Sequence, residues 1–178
     1  MTFYDPNGAE WAETLADNWK AIRGEYEALR DDLFMVAPGE SCYEGGWDVF
    51  GLCYQGNWIH AHCEMVPGLA RFLHDVPCMV NAAISILGPE SQILPHEDDI
   101  PGVLRYDLGL VVPEGCGMRA KDIVCPQIEG GVVMFDPSHE HECWNTHPKI
   151  TRALLTVDFA TPKLEIDCSD IDLSGPLR

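Results

Sequence analysis

Two regimes of hydrophobic spacing meet near residue 40, and that change limits the folds open to this chain more than any other feature. From Glu10 to Leu29 the large apolar residues are Trp11, Leu15, Trp19, Ile22, Tyr26 and Leu29, three or four positions apart. This spacing puts them on one helical face and predicts an amphipathic helix packed on a core. After "APGE" the pattern turns to short apolar runs parted by Gly, Pro and Asn: "WDVFGLCY", "AAISIL", "VLRYDLGLVV", "GGVVMF" and "RALLTVDFA". Short strands with frequent turn signals predict a mainly β sandwich or barrel and argue against alternating βαβ units. A second short helix is predicted across "VPGLARFLHDV", residues 66–76.

The 178 residues suit a single domain with a sizeable core. The expected boundaries are 1–160 for that domain, N-terminal helix included, and 161–178 for a loosely held acidic extension, "TPKLEIDCSDIDLSGPLR". With 29 acidic and 11 basic side chains the formal charge is −18, which repels nucleic acid and anionic lipid surfaces. The expected partner is a small molecule, with no nucleic acid and no membrane. The opening "MTFYDPNGAE" has no basic or apolar leader region, and "MVNAAISILG" is too short to span a bilayer, so a cytoplasmic location is expected. Eight cysteines are present without any Cys-x-x-Cys pair, and the expectation is reduced thiols, most of them buried.

Within this β-rich region stands "PHEDD", residues 95–99. If His96 and Asp98 lie in extended backbone, their side chains point to the same side. An imidazole and a carboxylate would then converge, and one further histidine would complete the two-histidine, one-carboxylate set that non-haem Fe(II) oxygenases use. "SHEHECWN", residues 138–145, offers both His139 and His141, and spacing does not choose between them.

"LPHEDDIPGVLRYDLGLVVPEGC", "EGGVVMFDPSHEHECWN" and "TRALLTVDF" resemble the aspartyl/asparaginyl β-hydroxylase family, which includes bacterial lipid A hydroxylases. The likeness runs from about residue 10 to about 160. It implies a double-stranded β-helix, a cupin-like jelly roll, and Fe(II)- and 2-oxoglutarate-dependent hydroxylation of an unactivated carbon. It implies that His96, Asp98 and His141 form the metal triad, with Asp98 matching the lipid A branch, since animal members carry glycine there. Arg152 matches the arginine that grips the distal carboxylate of 2-oxoglutarate, and Ser85 a hydroxyl that assists it. A planar guanidinium suits that task because it can donate two parallel hydrogen bonds to one carboxylate.

One position departs from the family. Its members read Arg-x-His before "LGL", facing the metal-proximal carboxylate of the cosubstrate, whereas this chain reads "RYDLGL", with Arg105 kept and Asp107 in place of the histidine. An ionised Asp107 would repel that carboxylate unless protonated or paired to Arg105. Two activities follow as alternatives. One is a hydroxylase of a soluble small molecule, since the sequence displays neither the helical-repeat domain of animal members nor the membrane segments of lipid A hydroxylases. The other is a metal-dependent isomerase, epimerase or cyclase that no longer uses 2-oxoglutarate. Elsewhere, His60 and His62 are expected to be structural or pocket-lining, Trp144 to pack beside the metal, and Arg119 to be a solvated strand residue. Asp136 and Asp158 are expected to end strands or bind backbone amides, and Gly130–Gly131 to form a turn.

Overall fold

The computed structural model describes residues 3–38 and 41–160; the expected acidic extension lies outside them. Two helices, α1 (Glu10–Asp17) and α2 (Trp19–Glu27), replace the single one that the spacing predicts. They part at Asn18 (φ −98°, ψ 11°), whose side-chain amide donates to the Thr14 carbonyl at 2.8 Å. Asparagine competes with the helical hydrogen-bond ladder in this way, and the break leaves the predicted apolar face intact. Leu15 and Ile22 are fully buried, and Trp11, Trp19, Tyr26 and Leu29 pack around them.

The strands are β1 (Met35–Val36), β2 (Tyr43–Glu44), β3 (Trp47–Tyr54) and β4 (Asn57–Trp58), then β5 (Met79–Leu87) and β6 (Ser91–His96). They continue with β7 (Val103–Val111), β8 (Cys116–Ala120), β9 (Ile123–Pro126), β10 (Val132–Phe135), β11 (His141–Asn145) and β12 (Arg152–Ala160). Between β4 and β5 lie α3 (His60–Cys63) and α4 (Pro67–Leu73), the latter being the predicted second helix. The major sheet has the order β1-β3-β5-β12-β7-β10, with β4 on β3, and the minor sheet β2-β6-β11-β8-β9. Two facing antiparallel sheets that exchange strands in this order make a double-stranded β-helix.

Alternation along the three central strands of the major sheet sorts their side chains. Ile84, Tyr106, Leu108, Leu155 and Val157 join Leu15, Ile22, Leu69 and Leu73 of the helices in the main core. The Tyr106 hydroxyl reaches the Ala12 carbonyl of α1 at 3.0 Å. Intervening positions face the minor sheet, where Val133 and Phe135 meet Met118 and Ala120 in a second, smaller core.

Two contacts fix the connections. Helix α4 has no cap of its own, and the Glu25 carboxylate of α2 accepts from the Gly68 and Leu69 amides, each at 2.8 Å. This satisfies two orphan donors at a helix N-terminus, a contact worth about 1 kcal/mol. Fully buried Asn145 donates to the carbonyls of Leu87, Gly88 and Ile150, and accepts from the His147 amide. It thereby ties the end of β11 to the turns after β5 and before β12.

His60 and His62 lie in the short helix α3; His62 stacks on Phe50 and its Nδ1 is 2.7 Å from the Gly51 carbonyl, a structural role as expected. Cys42, Cys53, Cys63, Cys116, Cys125 and Cys143 are free, but Cys78 is disulfide-bonded, so the expectation of uniformly reduced cysteines fails at that position. Glu129 and Gly130 do form a turn, with Gly130 at φ +70° and the Trp19 indole so close that a Cβ would meet its Nε1 at 2.7 Å. Among the described residues no helix is long and apolar enough to cross a membrane.

Candidate metal centre

His96 ends β6 and His141 begins β11, and antiparallel pairing sets them directly opposite each other. Their ring centroids are 4.2 Å apart, and Phe135 meets the His141 ring edge-on at 5.1 Å. Asp98 lies two residues beyond β6, in a loop pinned by its own amide to the Pro137 carbonyl at 2.9 Å. One ligating atom from each of His96, Asp98 and His141 lies within 4.8 Å of the others, the one such grouping among the described residues.

Both imidazoles are held in the orientation a metal ligand needs. The Nδ1 atoms of His96 and His141 stand 2.8 and 2.9 Å from the carbonyls of Leu94 and His139. Carbonyl oxygen only accepts, so each Nδ1 carries a proton and each Nε2 is the ring atom left to meet a metal. His141 Nε2 is buried with no hydrogen-bond partner, a cost that a cation in the cluster would remove. Burial, and after it the charges of Arg105 and His96, lowers the His141 pKa to about 4, so its ring is neutral at pH 7. Burial opposes ionisation of Asp98, but the Arg105 guanidinium and the two imidazoles outweigh it and hold its carboxyl below the usual range. Two imidazoles and one carboxylate converging on one point are a donor set that fits a divalent first-row metal such as Fe(II).

Behind this cluster, the inward positions of β5, β7 and β12 form a polar row. Arg152 is 1% exposed; its Nη1 donates to Gln127 Oε1 at 3.0 Å, and its Nε has no partner. Ser85 is one diagonal step away, since Leu154 pairs with Ser85, and its Oγ accepts from the Trp47 indole at 3.0 Å. Asp107 Oδ1 accepts from the Thr156 hydroxyl at 2.7 Å. Burial raises the Asp107 pKa despite the opposing charge of Arg105. Arg105 itself grips Asp158 through Nε at 2.8 Å and Nη2 at 3.0 Å, and reaches Asp98 Oδ2 at 2.8 Å.

The structure therefore gathers His96, Asp98 and His141 at one point and sets Arg152, Ser85, Arg105 and Asp107 on the adjoining sheet face. His139 contributes its carbonyl to His141, while its ring lies 3.8 Å from Asp136. Asp136 caps its own turn as expected, accepting from the amide and hydroxyl of Ser138. Asp158 departs from expectation, because it binds Arg105 and not backbone amides. Trp144 also departs: its indole lies over Gly117, lining a surface cavity with Glu44 and Gln92 in place of packing beside the triad. Arg119 pairs with Glu140 and Glu142, in agreement with a solvated role. Sequence did not place Thr156, Asp158 or Gln127 in this polar row. For the first two a signal existed, since both stand an even number of positions from Arg152 on one strand and so share its face.

A family model described as aspartyl/asparaginyl beta-hydroxylase matches residues 16–162. The chain is 31% identical over 170 residues to the ornithine lipid ester-linked acyl 2-hydroxylase of Rhizobium tropici, covering 89% of this chain and 60% of that protein. It is 32% identical over 164 residues to the human aspartyl/asparaginyl beta-hydroxylase, covering 87% of this chain and 22% of that protein. It thus spans less than two thirds of either relative. A prolyl-4-hydroxylase from Pseudomonas putida shares the fold, with a TM-score of 0.54 over 82% of this chain and 86% of that one, at 16% identity.

Proposed function

The chain belongs to the aspartyl/asparaginyl β-hydroxylase family, and on that premise we propose that it is a Fe(II)- and 2-oxoglutarate-dependent hydroxylase of a small soluble molecule, such as an amino-acid derivative or biosynthetic intermediate. The observation that carries this reading is the buried, unpartnered Nε2 of His141 facing His96 and Asp98.

His96, Asp98 and His141 would hold the metal. Bound there, Fe(II) supplies the redox chemistry that couples oxidative decarboxylation of 2-oxoglutarate to hydroxylation of an unactivated carbon. Arg152 supports binding of the cosubstrate's distal carboxylate, because its buried Nε–H has no acceptor and a carboxylate would provide one. Ser85 Oγ, already fixed by the Trp47 indole, can turn its own proton toward the same carboxylate. Asp107 is compatible with an anion nearby because burial favours its protonated, neutral form and Thr156 fixes one of its oxygens. The interior row between the sheets excludes bulk water from this region, strengthening each of these contacts.

The two relatives are named for an ester-linked acyl group and for aspartyl or asparaginyl residues, so their substrates differ widely. A diffusible substrate is supported by the −18 charge, which disfavours an anionic bilayer surface. Oxygen uptake and succinate release with Fe(II)-loaded protein, over a panel of amino-acid derivatives and one dispersed acyl lipid, test the reading. Turnover without O₂ and 2-oxoglutarate would overturn it in favour of Lewis-acid chemistry, and turnover of the lipid alone would overturn the small-molecule part.

A further inference from the structure

Arg105 sits where its relatives face the cosubstrate, yet its guanidinium is already committed. Its Nε and Nη2 form a fork on the two Asp158 oxygens at 2.8 and 3.0 Å, and the same Nη2 makes an ion pair with Asp98 Oδ2 at 2.8 Å. Asp158 is in turn held by Asn81 Nδ2 at 3.1 Å. Pairing places Asp158 directly opposite Arg105 on β7 and opposite Asn81 on β5, so three adjacent strands build the support.

We propose that Asp158 is a positioning residue for the metal centre, holding Arg105 so that Arg105 in turn holds the outer oxygen of Asp98. The guanidinium is planar, so a two-point grip on one edge fixes the direction of every remaining N–H. The Nη2 group beside Asp98 is therefore fixed in place, with Asp98 Oδ2 in contact with it at 2.8 Å. That leaves Asp98 Oδ1 turned toward His96 Nε2, 3.7 Å away. Asp98 lies in a loop beyond the end of β6, where backbone pairing alone does not fix a side-chain torsion. The relay supplies that constraint and makes Asp98 a one-oxygen ligand. It also divides the Arg105 charge between two carboxylates, so that Asp98 keeps enough negative charge to bind a cation. The inference rests on the triad binding a metal, as proposed above.

Co(II) titration of the full chain under anaerobic conditions, followed by its visible absorption, tests the relay. Asp158→Asn keeps the shape and loses the charge and half of the grip; Arg105→Lys keeps the charge and loses the fork. Each is expected to weaken Co(II) binding by about 10- to 100-fold, as loss of a ligand-orienting partner does, and to alter the band shape as Asp98 changes its mode of coordination. A merely structural ion pair would lower the melting temperature and leave the Co(II) spectrum as it is. Affinities within about threefold of the unaltered protein, with the same spectrum, would overturn the proposal. If Asp158→Asn fails to fold, Arg105→Lys decides alone. Failure of the unaltered protein to bind Co(II) would instead overturn the metal reading from which the relay follows.

Discussion

Asp107 lies directly opposite Thr156 across β7 and β12, and the threonine hydroxyl donates to its Oδ1 at 2.7 Å. A hydroxyl is a weak substitute for hydration, and burial raises the Asp107 pKa above its ordinary value. A carboxyl whose pKa rises on folding stabilises the native state fully below its unfolded pKa of about 4, and that contribution is lost as pH rises through the folded value. Asp107→Asn keeps the acceptor and cannot ionise. It is expected to raise the melting temperature at pH 7 and to lose that advantage as pH falls below about 4. Melting curves across this range decide; a lower melting temperature at pH 7 would mean that the nearby arginines outweigh burial.

The centre predicts a pattern among three histidines. His96→Ala and His141→Ala should each abolish stoichiometric Fe(II) binding, because two donors remain of three. His139→Ala should leave it intact, since His139 acts through its backbone carbonyl. Equilibrium dialysis with Fe(II) under anaerobic conditions reads the result, and the reverse pattern would reassign the ligand.

Arg152→Met fills much the same volume without charge. Loss of a charge-assisted contact of about 1.5–3 kcal/mol predicts a Kd for 2-oxoglutarate higher by roughly 10- to 100-fold. Calorimetry on Mn(II)-loaded protein measures it directly, and an unchanged Kd would remove Arg152 from cosubstrate binding.

Asn145→Ala is expected to be among the most destabilising single changes in the molecule. Three backbone carbonyls lose their donor at a fully buried site, at a cost of about 2–4 kcal/mol. Urea denaturation would show a lower midpoint with little change in slope.

Alkylation of unfolded but unreduced protein should label Cys42, Cys53, Cys63, Cys116, Cys125 and Cys143, with Cys78 reacting only after reduction. Peptide mass analysis reads each position; early labelling of Cys78 would show its bond absent in solution.

The strands carrying apolar runs were legible because hydrophobic spacing reports burial, and β3, β5, β7, β10 and β12 all fall within the quoted segments. Less legible were β8 and β9, since exposed Ile123 and Val124 interrupt the inside–outside pattern. Pairing of His96 with His141 follows from register between strands 45 residues apart, which local sequence does not encode; only the family likeness chose His141 over His139. Asp158 was given the wrong partner because Arg105 comes from a distant strand, and an acid near the end of an apolar run looks the same whether it meets an amide or a guanidinium.

Alternate positions on β5, β7 and β12 answer to different demands. Tyr106 and Leu108 face the helices, and Asp107 between them faces the interior. The residue at 107 can therefore be exchanged without repacking either neighbour, and the same holds for Thr156 between Leu155 and Val157. Inheritance can explore new reactions in such a barrel one side chain at a time, while the information that makes the chain fold passes down untouched on the other face of the same strands.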